Sequence, residues 1–209
     1  MEQPTSLLEY ALTVIRENIL TGKYKAGEKL STQDIAEELG TSRTPVNAAI
    51  NRLVAEGLAE AIPRRGTIVR QLSEEQISDI IDVRILLESY AIERAIKNVS
   101  KNPEKIEYMK ELLYSFDFKN ADYKSVSDFE AEFHRTLVKL SGNEQLLRLY
   151  DTNWTMGYVS YFYTMAHMPD EKHKKFFDEH KTIIEYLESG NADELEKLIK
   201  SHIMSLKLA

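Results

Sequence analysis

The stretch "TSRTPVNAAINRLVAEGL", Thr41 to Leu58, sets Ser42 in front of a run in which Val46, Ala49, Ile50, Leu53 and Val54 recur at intervals of three and four. At 3.6 residues per turn that spacing gathers the apolar residues on one face and predicts an amphipathic helix. Pro45 is tolerated because amides in a first turn have no intrahelical partner. Gly57 is a stop signal. The polar residues Arg43, Thr44 and Asn47 cluster at the start of this helix. A helix that reads DNA does so with its first turn, where arginine matches guanine O6 and N7 and asparagine matches adenine N6 and N7.

The flanking sequence extends the pattern. Leu7, Leu8, Leu12, Ile15 and Ile19 predict a helix over 6–21, closed by Gly22. Ser31, with Asp34 three residues on, predicts the cap of a second helix carrying Ile35, Ala36 and Leu39. Gln33 lies early in that helix, within reach of a phosphate or base edge. After Gly57, "LAEAI" and "GTIVRQL" flank "PRRG" and read as a small hairpin with Arg64 and Arg65 at its tip, suited to a minor groove or a phosphate. Helix, helix-turn-helix and hairpin in this order predict a winged helix-turn-helix over residues 1–70.

Residues 71–75 are expected to be a linker. "SEEQ" from Ser73 is a capping box that opens a long helix to about Val99. Further helices are expected near 103–115, 122–141, 144–166, 170–189 and 192–207, with breaks at Pro103, Gly142, Pro169 and Gly190. The fold class is therefore mainly α, a winged helix-turn-helix followed by an all-helical bundle over 76–209.

The 209 residues carry a formal charge of −7, yet the imbalance is local. Residues 1–70 hold nine Lys/Arg and nine Asp/Glu, and five arginines fall between Thr41 and Arg70 against Glu56 and Glu60. The acidic excess lies wholly in the second part, so total charge does not oppose DNA binding by the first. The chain has no cysteine, which excludes disulfides and thiolate metal sites. It has no apolar run long enough to span a bilayer and no secretory signal at its start, so a cytoplasmic protein with no membrane partner is expected.

Three of the five histidines sit on inward stripes: His134 beside Phe133 and Leu137, His180 four residues after Phe176, and His202 four after Leu198. Glu130 shares the face of His134 one turn earlier. Imidazoles and a carboxylate directed into a bundle interior can form a divalent metal site, and nitrogen and oxygen donors suit zinc, nickel, manganese or iron. Hydrogen-bonded core histidines would give the same pattern. His167 and His173 are read as surface or pocket-rim residues. Arg84 shares a stripe with Ile77, Ile80 and Ala91, so it needs an anionic partner. That partner is either Glu88, one turn on, or a bound carboxylate. Tyr150, Trp154, Tyr158, Tyr161 and Phe162 line one helix, either as core or as a wall contacting a polar ligand.

The segment "AGEKLSTQDIAEELGTSRTPVNAAINRLVAEGLAEAIPRRGTIV" resembles the DNA-binding domain of the GntR family of bacterial transcription regulators. Ser42, Arg43, Thr44, Pro45, Leu53, Gly57, Leu58 and Gly66 carry the likeness. Asn47 stands where the family usually has arginine; it can read a base but cannot neutralise a phosphate. Residues 76–209 resemble the FCD effector domain of the FadR-type branch. There a metal is held by an aspartate and a histidine four residues apart, with two more histidines from the last two helices. "FEAEFHRTL", "DEHKTII" and "IKSHIMSL" supply Glu130 and His134, His180, and His202, with glutamate in the aspartate's place.

The resemblance implies an effector-responsive regulator, expected to act as a repressor, that binds operator DNA as a homodimer and is not an enzyme. Gln33, Ser42, Arg43, Thr44, Asn47, Arg64, Arg65 and Gly66 would face DNA. The metal, expected as zinc, nickel or manganese, would sit in the bundle, and Arg84, Trp154 and Tyr158 would meet a small organic acid. An all-helical metalloenzyme is the alternative: the di-iron pattern Glu-x-x-His is absent, and no adjacent His-Asp pair occurs. A regulator with a purely structural metal is another. If Arg43 reads a guanine, Arg43→Ala should cost about 1–3 kcal/mol per half-site and relax specificity at one base pair. Competition binding at fixed salt checks this, and an equal loss on random DNA would identify a phosphate contact instead.

Overall fold

The computed structural model describes residues 6–118, 120–121, 123–167 and 170–207, and side chains outside 123–124 and 158–174. The chain divides into two compact units, Met1–Leu72 and Ser73–Ala209.

In the first unit, α1 (Leu7–Leu20), α2 (Thr32–Glu38) and α3 (Arg43–Ala55) precede strands β1 (Ala59–Ile62) and β2 (Gly66–Val69). α1 buries Ala11, Leu12, Ile15 and Ile19 against the face of α3 formed by Val46, Ala49, Ile50 and Leu53. Ser31 caps α2 by accepting from the Asp34 amide. Ser42 is the N-cap residue of α3, but its side chain makes no cap hydrogen bond, so its hydroxyl is not committed to the helix start. The strands pair antiparallel, Ala59 opposite Val69 and Ile62 opposite Gly66. The loop before α2 joins this ribbon through Leu30 N–H to the Thr67 carbonyl (2.8 Å) and Val69 N–H to the Glu28 carbonyl (2.8 Å). Gly66 has φ +93°, a backbone conformation that favours glycine. Arg64, in the turn, also has a positive φ of 66°.

The second unit is helical among the described residues: α4 (Glu74–Val99), α5 (Pro103–Ser115), α6 (Tyr123–Leu140), α7 (Glu144–His167), α8 (Asp170–Ser189) and α9 (Ala192–Met204). The Ser73–Gln76 capping box forms in both directions. Asn191 caps α9 from the Glu194 amide, and α9 ends three residues short of the predicted 207. α4 is the hub, packing on α6, α7, α8 and α9. The core is built from Ile80, Ile81, Ala91 and Ile92 of α4 with Phe133, Leu137, Ile183, Leu187, Leu195 and Ile199 of the others. Among the buried polar residues are three charged side chains, Arg84, Glu88 and Glu130, and three histidines, His134, His180 and His202.

Candidate metal centre and nucleic-acid interface

The helical phase that puts His134, His180 and His202 among core residues also brings them together. With Glu130, each offers a ligand atom within 4.8 Å of the others, and all four are buried. α6 supplies Glu130 and His134, α8 His180 and α9 His202. His134 Nε2 and His202 Nε2 are 3.2 Å apart. Neighbouring donors on a tetrahedron with bonds of about 2.05 Å are about 3.3 Å apart, so this edge already has the dimensions of a bound divalent ion. Glu130 Oε2 lies 3.5 Å from His134 Nε2 and 3.7 Å from His202 Nε2. Glu130 Oε1 lies 2.8 Å from His180 Nε2 without hydrogen-bond alignment.

Around the four stands a ring of carboxylates. The Nδ1–H of His134 donates to Glu88 Oε2 (2.6 Å), and that of His202 to Glu179 Oε2 (2.8 Å). The other oxygen of Glu88 accepts from Arg84 Nε at 2.6 Å. The guanidinium lies over the Trp154 ring, 4.8 Å from its centroid, and 3.8 Å from Glu130 Oε2. Trp154 in turn stacks with Tyr150. His180 is held instead by aromatic edges, with Phe133 at 4.6 Å and Phe129 at 5.1 Å between centroids.

These contacts set the protonation states. Burial pushes the His134 imidazole down, outweighing the pull of Glu88, to about 4, so it is neutral at neutral pH. Burial pushes Glu88 up, but His134 and Arg84 overcome it and hold the carboxyl at about 2. Glu130 is likewise held well below the ordinary range, burial being outweighed by His180, His202 and His134. Burial also lowers His202, but the neighbouring carboxylates of Glu130 and Glu179 reverse this and raise it.

The donor set fits a metal. It consists of three imidazoles and an ionised carboxylate. Both His180 nitrogens and both Glu130 oxygens are buried without a hydrogen-bond partner among the described residues. Buried polar atoms left unsatisfied cost about 1–3 kcal/mol each, and an ion in their midst would remove that cost.

In the first unit, Gln33, Ser42, Arg43, Thr44, Asn47, Arg64, Arg65 and Gly66 are all exposed. Arg43 donates to Gln33 Oε1 at 3.3 Å and Gln33 to Glu37 at 3.1 Å, so the starts of α2 and α3 share one polar surface. Of the five arginines counted in the sequence, Arg52 is not free for phosphate: it pairs with Glu9 (2.9 Å) and Glu56 (3.4 Å). Sequence reasoning brought together the four metal candidates and put Arg84 and Trp154 beside them. Tyr158, Tyr161, Phe162, His167 and His173 fall outside the described side chains. It missed Glu179 entirely and knew Glu88 only as a partner for Arg84; the pairings of Glu88 to His134 and of Glu179 to His202 span 46 and 23 residues. The only signal in the sequence was the position of Glu179, immediately before His180.

Residues 79–205 match the FCD domain, and residues 11–69 match the bacterial regulatory proteins of the gntR family. The chain thus belongs to the GntR family of DNA-binding transcription regulators, in the branch that carries an FCD domain. It is 29% identical over 189 residues to a probable D-xylose utilization operon transcriptional repressor of Paenarthrobacter nicotinovorans, covering 88% of this chain and 80% of that one. Its fold is similar to that of E. coli McbR/YncC, with TM-score 0.77 and 20% identity over 96% of this chain and 94% of that one. It is also similar to the metal-free FCD domain of TM0439, with TM-score 0.52 and 22% identity over 66% of this chain and 92% of that domain. No described helix is long and apolar enough to cross a membrane.

The ring of charges has a consequence for stability. Glu88→Ala removes the carboxylate 2.6 Å from Arg84 Nε, and removing one partner of a buried pair costs about 3–5 kcal/mol. Urea unfolding should show a loss of that order, much of it recovered in Arg84→Met/Glu88→Gln. A single variant as stable as the wild type would mean that Arg84 is compensated elsewhere.

Proposed function

We propose that this regulator is a homodimeric repressor whose second unit holds one divalent metal on Glu130, His134, His180 and His202 and binds a small organic acid there. The observation that carries the reading is the convergence of those four buried donors, two of them with no hydrogen-bond partner among the described residues. Zinc, nickel and manganese suit nitrogen and oxygen donors, and a bound ion would supply a Lewis-acidic centre for an effector carboxylate. Arg84 and Trp154 would form the wall beside that ligand, with Arg84 acting while held by Glu88. Gln33, Ser42, Arg43, Thr44, Asn47, Arg64, Arg65 and Gly66 would meet operator DNA, Arg43 and Asn47 at base edges and the wing-tip arginines at phosphate or minor groove.

The dimer reading rests on the outer face of α4. Val83, Leu86 and Tyr90 follow at i, i+3 and i+7 and are 43%, 68% and 61% exposed; Val83 and Leu149 of α7, the latter 60% exposed, line a groove of about 360 Å³. A contiguous apolar patch of this kind on a charged helix marks an interaction surface, and a two-fold axis would pair it with itself.

Two experiments test the reading. Chelation of protein purified without an affinity tag should lower the melting temperature, because an ion that binds only the folded state stabilises it by mass action. His180→Ala or His202→Ala should abolish uptake of zinc, nickel or manganese while leaving operator binding largely intact. Failure of the wild type to take up any of these ions at micromolar concentration would end the metal reading, and a bound metal with no response to organic acids would make it structural. Separately, Leu86→Lys/Tyr90→Lys should sediment as a monomer, bind operator more weakly and keep its metal; an unchanged sedimentation profile would move the interface elsewhere.

A further inference from the structure

The four candidate ligands come from α6, α8 and α9, and α4, the hub of the bundle, supplies none of them. It meets the cluster through Arg84, 3.8 Å from Glu130 Oε2, and through Glu88, which accepts the Nδ1–H of His134 with one oxygen and Arg84 Nε–H with the other. On the opposite side Glu179 accepts the Nδ1–H of His202. We propose that Glu88 and Glu179 are positioning residues for the metal, each holding one imidazole by Nδ1–H so that its Nε2 faces the shared centre. The inference rests on the metal reading above.

The physical argument is one of tautomer and orientation. A neutral imidazole can carry its proton on either nitrogen, and only the unprotonated one can ligate. A carboxylate at Nδ1 selects the Nδ1–H form, fixes the ring plane and makes Nε2 a better donor. The approach of His134 Nε2 to His202 Nε2 at 3.2 Å is what two such clamps produce when they aim at one point. His180 has no such clamp: neither of its nitrogens has a hydrogen-bond partner among the described residues, and aromatic rings surround it. The centre is therefore two fixed imidazoles, one adjustable imidazole and a carboxylate.

Glu179 is the cleaner test. Its side chain is 17% exposed and, apart from His202, its ion-pair neighbour is Lys175 at 4.0 Å, so neutralising it strands no buried charge. In the full-length protein, Glu179→Gln should weaken Zn²⁺ binding about 10- to 100-fold by calorimetry, with the metal-free melting temperature close to wild type. In Glu179→Ala, which also removes the acceptor that a glutamine amide oxygen would still supply, long-range proton–nitrogen NMR of the metal-free protein should show His202 losing its dominant Nδ1–H form, a readout that a merely structural role would not move. In a His202→Ala background Glu179→Gln should cause no further loss of affinity. Because Glu88→Ala alone would take from Arg84 the carboxylate at 2.6 Å, the matching variant is Arg84→Met/Glu88→Ala, for which the same weakening and the same spectral change at His134 are expected. Zn²⁺ binding by Glu179→Gln as tight as wild type, with His202 unchanged in the Glu179→Ala spectrum, overturns the positioning role and leaves the metal reading standing. Absence of Zn²⁺ binding by the wild type overturns both.

Discussion

Charge buried in an apolar bundle is the constraint on which the second unit depends. Arg84, Glu88 and Glu130 are removed from water together with three imidazoles, and an ion transferred alone into such surroundings costs several kcal/mol even after relaxation. Each group must therefore meet its complement, and the complements lie on different helices. Glu88 of α4, paired with Arg84, reaches His134 of α6; Glu130 of α6 reaches His180 of α8; His202 of α9 reaches Glu179 of α8. Hydrophobic burial would be satisfied by many arrangements of these helices, but this network is satisfied by few. It gives the bundle a particular register, which apolar packing alone specifies weakly.

The two units handle charge in opposite ways. In the first, arginines at the start of α3 and at the hairpin tip stand in solvent on short elements, while Arg52 and Arg16 tie α1 and α3 together through Glu9 and Glu56. In the second, Arg84, Glu88 and Glu130 are buried. The −7 belongs wholly to this second part, and the first is neutral overall.

Most of the fold was legible because its signals are local. The capping box at Ser73, Pro103 at the start of α5, and Gly142 and Gly190 with positive φ each mark an element boundary within a few residues. Inward stripes of three and four were enough to place His134, His180 and His202 in the core. What could not be read is what depends on contact between distant segments. Nothing near Glu88 says that its second oxygen meets an imidazole 46 residues away, and Glu179 lies off the apolar stripe, where a solvated charge is the default. Ser42 fits the cap pattern and makes no cap bond, since a side-chain hydroxyl on an exposed turn can turn to solvent at little cost. Arg84 presented two possible partners, and only packing could choose between Glu88 and a ligand.

Arg64 occupies the hairpin turn at φ 66°, a conformation that costs a side chain with a Cβ about 1 kcal/mol or more and costs glycine little. Selection for stability alone would therefore drift this codon toward glycine or asparagine. An arginine retained there keeps a cation at the outermost point of the ribbon at the expense of a more relaxed turn. Stability and surface potential pull in opposite directions at this one position, so among related chains the turn should alternate between two solutions, strained and charged or relaxed and neutral.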